Sequence, residues 1–160
     1  MKFFLKILLV FLLFFAQTAF PINTHLFSVN LSPVISYLVA TTFVLPFTES
    51  LTILTIILVL YYLTGAVFAL PTTILLIFIF LAIYYIRRLS LGTFLSYAGI
   101  FFTIIIFHFV TDVICFLPSS LEWSQFGSYL IHFTSIVAIA EMAMATLFIA
   151  ILSFSQRKKV

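Results

Sequence analysis

Four side chains able to bind or pass a proton interrupt the last two apolar runs of this 160-residue chain: His108, Asp112, His132 and Glu141. His108 and Asp112 stand four residues apart, so on a helix they share one face. His132 lies a few residues into the next run, at a similar depth. The three can form one outward-facing polar cluster, and two imidazoles with a carboxylate are a donor set suited to zinc. A hydrogen-bonded His and Asp that join helices near the headgroups need no metal, however, and that plainer role is the expectation. A proton or substrate path through the same groups stays open at this point. No metal or cofactor is assigned.

Glu141 sits about thirteen residues from either end of its run, which on a spanning helix is near the bilayer midplane. Thr134, Ala138 and Ala145 fall within about 60° of it on a helical wheel and make a small, polar stripe with the carboxyl at its centre. Charge at such a depth costs about 2.5 to 3.5 kcal/mol, so the group needs a partner, and a stripe of this kind packs on another helix. That helix belongs to this chain or to a partner protein. A second stripe, Gly92, Ser96, Gly99 and Thr103, is spaced by four, three and four residues, the geometry of close backbone approach. His108 lies roughly opposite it on the wheel, which predicts a helix with contacts on two sides and a central place in the bundle.

The chemistry that is missing narrows the field further. Asp112 is the only aspartate, which excludes intramembrane proteases and peptidases built on two catalytic aspartates. There is no HExxH zinc motif, no glycine-rich phosphate loop and no CxxC pair. Ser96 and His108 do not make a hydrolase, because Ser96 lies in no nucleophile context. No catalytic residue is assigned, and the expectation is a protein that is not an enzyme.

The elements that carry these groups follow from composition. Hydrophobic residues make up 65% of the chain and charged residues 7%, with 22 phenylalanines, where soluble domains carry about 25% charge. Eleven charges netting +3 cannot cover a soluble surface or paint a basic stripe for nucleic acid. A single Cys115 excludes a disulfide scaffold. The class is an all-α integral membrane protein with lipid as its solvent. Its cations fall in three clusters, Lys2 with Lys6, Arg87 with Arg88, and Arg157 with Lys158 and Lys159. The positive-inside rule puts all three on the cytoplasmic side, so an even number of spans separates neighbours. Apolar runs then predict six spans, at residues 3–20, 31–47, 50–66, 69–86, 91–117 and 128–153, with both termini cytoplasmic. Gly65 and Pro71 mark the turn inside the uncharged stretch 50–86, and residues 118–127 are the outer break. A four-span alternative makes 31–47 re-entrant and 50–86 one long helix. The first run has a signal peptide's basic start but no small-x-small cleavage site near Ala16 or Ala19, so it is expected to stay. Tyr84, Tyr85, Trp123 and Tyr129 sit where interfacial aromatics belong.

The basic first helix, Pro33 opening the second span, the glycine-centred segment from Leu63 to Leu70, the Leu76 to Leu89 run ending in Arg87 and Arg88, and the basic tail together resemble the MreD family. These are bacterial rod shape-determining membrane proteins. The resemblance implies a multi-pass protein of the inner membrane, non-enzymatic, that belongs to the cell-elongation machinery. It would bind MreC and other elongation proteins and help couple cytoplasmic filaments to peptidoglycan synthesis. A small-molecule ligand is not expected. The alternative from another class is the substrate-binding membrane subunit of a vitamin-type transporter, in which Glu141, His108 and Asp112 would line one cavity.

Overall fold

The computed structural model describes residues 3–19, 32–64, 69–89, 92–116 and 123–157, apart from the side chains at 19, 69–71, 112, 114–116, 123–135 and 157. Among the described residues the chain is all-helical: α1 (Phe3–Ala19), α2 (Pro33–Val44), α3 (Phe47–Leu63), α4 (Ala69–Arg88), α5 (Thr93–Phe116) and α6 (Trp123–Arg157). The stretch 50–86 is therefore divided between two helices, α3 and α4, which pack on each other. Gly65 lies outside the described residues, while Pro71 falls in the first turn of α4 rather than in the turn before it. Proline is tolerated there because the first N–H groups of a helix have no intrahelical acceptor. Lys2, Lys158, Lys159 and residues 118–122 of the outer break lie outside the described residues; the rest of that break, from Trp123, is already helical.

The centre of the bundle is α2, and not α5 as the two stripes on the fifth run predict. Every residue from Val34 to Thr42 is buried. Around α2 run α1, α3, α4, α5 and α6 in that order, each packed on the next from α1 to α6, and the most extensive seam joins α2 to α6. α5 has its main seams with α4 and α6. A helix buried on all sides has no polar face, and α2 accordingly shows no amphipathic contrast along VISYLVATT.

Local chemistry sets the limits of α2. Ser32 is its N-cap, with Oγ accepting from the Ile35 N–H at 3.3 Å, and Pro33 takes the first helical position. At the other end Leu45 turns to an extended conformation just before Pro46, as residues preceding proline do. The helix has twelve residues and is about 18 Å long, well short of the predicted 31–47 span and of a 30 Å hydrocarbon layer. Two segments, Thr93–Thr111 in α5 and Ile136–Gln156 in α6, are long and apolar enough to cross a membrane.

α1 is part of the core: Val10 and Phe14 are buried, and Phe14 meets Tyr61 of α3 edge-on at 5.4 Å. On α2, Tyr37 meets Phe148 of α6 in the same way at 5.3 Å.

Candidate functional site

A short central helix in an apolar bundle has a specific problem at each end. Its first N–H and last C=O groups lack intrahelical partners, and its dipole favours a negative group at its start and a positive one at its end. The structure meets the first end with Glu141, which is fully buried on α6. Its Oε1 accepts the Ser32 N–H at 2.8 Å, and its peptide carbonyl accepts the Ser36 hydroxyl at 3.2 Å. Its Oε2 lies 2.9 Å from His108 Nε2 of α5, a close contact out of hydrogen-bond alignment; neither atom has a hydrogen-bond partner among the described residues.

From Ser32 the polar series continues outward. Ser32 Oγ donates to Gln17 Oε1 of α1 at 3.0 Å, and Gln17 Nε2 donates to the Tyr61 hydroxyl of α3 at 3.4 Å. One connected set of side chains thus ties α1, α2, α3, α5 and α6 together around the start of the central helix. In an apolar surround, such groups are costly apart and stabilising together.

The second focus lies at the other end of α2. Arg87 of α4 donates through Nη1 to the carbonyls of Leu45 and, at 3.4 Å, Thr42. The Ser50 hydroxyl of α3 donates to the Thr41 carbonyl at 2.9 Å. Beside them Lys6 of α1 pairs with Glu49 in the first turn of α3, and the Tyr37 hydroxyl donates to the Lys6 carbonyl at 3.2 Å. A carboxyl oxygen at the N-terminus and a guanidinium at the C-terminus are the kinds of group that the α2 dipole favours.

The predicted site residues divide accordingly. His108 and Glu141, placed in separate groups by the adaptor reading and together by the transporter alternative, are in contact. Ala138 and Ala145 are fully buried on either side of Glu141, and Thr103 and Ser96 are buried on α5. The side chains of Asp112, His132 and Thr134 lie outside the described residues. Among the described residues no group of three His, Cys, Asp or Glu side chains is placed to hold a metal. Sequence reasoning missed Gln17, Ser32, Tyr61 and the Lys6–Glu49 pair. The available signal was a Ser followed by Pro at a helix start, which marks an N-cap whose own N–H needs an acceptor.

The Gly92, Ser96, Gly99, Thr103 stripe is closely packed along only part of its length. A Cβ built on Gly99 would come 3.0 Å from Ile86 Cδ1 of α4, whereas one on Gly92 would meet nothing within 4 Å. Gly99→Leu is therefore expected to destabilise by about 1 to 3 kcal/mol through overpacking, and Gly92→Ala to leave stability within about 0.5 kcal/mol. Unfolding both in the same detergent checks the contrast; equal effects would mean that the α4–α5 seam is not close-packed at Gly99.

In comparisons with known proteins, no family model matches the chain, and no curated protein or solved structure shows significant similarity to it.

Proposed function

We infer that the chain is a multi-pass protein of the bacterial inner membrane that works as an intramembrane adaptor in the cell-elongation machinery, the role implied by its resemblance to the MreD family. Polarity in the structure is arranged inside out, which supports the lipid setting. Ser36, Thr41, Ser50, His108 and Glu141 are buried, while Phe94, Tyr62, Leu63 and Phe4 are 83%, 78%, 73% and 71% exposed. An apolar exterior of this kind suits hydrocarbon. In that setting six helices cross or enter the bilayer, with Lys6, Arg87, Arg88 and the basic tail at the cytoplasmic face.

Glu141 carries the adaptor reading. In a solute-binding subunit this carboxylate and His108 would face a cavity. Here Oε1 accepts the Ser32 N–H at the start of α2 and Oε2 lies against His108 of α5, so the buried carboxyl joins helices. A protein organised this way presents its outer helix faces for recognition, with no catalytic step.

The test is affinity capture of the full chain in mild detergent. MreC is expected among the recovered proteins. Its absence from the capture, when it is present in the lysate, overturns the assignment. Reporter fusions beside Arg88 and at the carboxyl terminus are expected to lie on the same side of the membrane, and opposite sides would remove the architecture.

A further inference from the structure

At the basic end of the bundle, the last turns of α4 and the start of α3 enclose a cleft of about 320 Å³ lined by Phe47, Tyr84, Arg87 and Arg88. That volume is at the lower end of the range for small-ligand sites, about 300 to 1,000 Å³. Tyr84, Arg87 and Arg88 are brought to one side of α4 by their three- and four-residue spacing. Phe47 packs on Tyr84 with ring centroids 5.0 Å apart and on Phe80 at 5.7 Å, which makes one wall rigid and apolar.

The two arginines differ in what holds them. Arg87 is oriented by the carbonyls of Leu45 and Thr42, which engage only Nη1. Arg88 is exposed. Neither has a carboxylate within ion-pair distance among the described residues, although Lys6, at the same end, is paired with Glu49. Two guanidiniums with no counter-charge among the described residues, next to an aromatic wall at the headgroup level, are complementary to a phosphate whose acyl chains run down the apolar outer faces of α3 and α4.

We propose that this cleft binds the phosphate of an anionic phospholipid headgroup in the cytoplasmic leaflet, with Arg88 as the main electrostatic contact and Arg87 as a fixed second donor. The site rests on the bilayer placement given under Proposed function, and is independent of MreC. A bound lipid would bridge α3 and α4 at the end of the bundle where α2 is also anchored.

The experiment uses the full chain in mild detergent, titrated with phosphatidylglycerol, phosphatidylcholine or inorganic phosphate, and reads bound adducts by native mass spectrometry. Phosphatidylglycerol is expected to bind in preference to phosphatidylcholine. Arg88→Gln should weaken phosphatidylglycerol binding about fivefold, the effect of roughly one juxtamembrane cation, and Arg88→Lys should restore most of it. The melting temperature of each variant without lipid checks its folding. Equal binding of the two lipids, undiminished phosphatidylglycerol binding by Arg88→Gln, or equal binding of inorganic phosphate at matched concentration would each overturn the lipid site. Loss of MreC capture with Arg88-dependent lipid binding intact would overturn the adaptor assignment alone.

Discussion

Replacing Glu141 by alanine is expected to destabilise the bundle by about 3 kcal/mol, far more than an average interhelical hydrogen bond in a membrane protein, which is worth about 0.6 kcal/mol. Three losses combine. The Ser32 N–H loses its acceptor in a place where water does not substitute, His108 is left facing an apolar wall, and the shortened side chain leaves a void between α6 and α2. Glu141→Gln separates these contributions. Its amide oxygen still accepts from Ser32, so the void and the orphaned N–H disappear and only the approach to His108 changes; a loss of about 1 kcal/mol is expected. A double-mutant cycle with His108→Ala measures that remaining coupling directly. The measurement is denaturant-driven unfolding in mixed micelles. If Glu141→Ala costs no more than one ordinary hydrogen bond, the carboxylate does not hold the start of α2, and the adaptor reading loses its main support.

What could be read from the sequence depended on whether each feature leaves a contrast along the chain. Helix limits were legible because charge and proline interrupt an otherwise apolar text: Pro33 does open α2, and Arg87 and Arg88 do close α4. On α6 the helical wheel puts Ala138 and Ala145 on the side of Glu141, and both are buried beside it. The central position of α2 was not legible, for a physical reason. Stripes identify a helix that packs on one or two sides, and a helix packed on every side has nothing to contrast with. α5, whose two stripes predict a central place, lies in the surrounding layer. Gly92 fits the spacing of a packing stripe and its carbonyl accepts the Ser96 N–H at 3.0 Å, but it stands just before α5, and among the described residues nothing packs on it within 4 Å of an added Cβ.

Contacts between distant residues were illegible for a different reason. Lys6 and Glu49 are 43 positions apart, and Ser32 and Glu141 are 109 apart. Each residue has an ordinary local explanation: a topology signal, a polar residue at a helix start, a helix cap and a stripe centre. Only the folded arrangement makes them pairs. The result is a core in which the two ends of one short helix meet a carboxyl and a guanidinium from two different neighbours, so that position along the bundle axis is set by these polar contacts and seam width by small side chains.

That division of labour predicts the second large effect, at Ser36. Its side chain is fully buried and its hydroxyl donates across the α2–α6 seam to the Glu141 carbonyl at 3.2 Å. Ser36→Ala keeps the small volume and removes one interhelical hydrogen bond, so a loss of about 0.6 kcal/mol is expected. Ser36→Leu adds bulk where the α6 backbone stands within hydrogen-bond reach. With Val34 to Thr42 buried on all sides, α2 has no free direction in which to retreat. The cost is expected to reach about 3 kcal/mol, the upper part of the range for overpacking, because moving α2 away from α6 also withdraws Ser32 from Glu141. Unfolding in mixed micelles gives both values. A leucine variant as stable as the alanine variant would mean that the seam has room to spare, and that the centre of this bundle is held by the polar contacts at the ends of α2 alone.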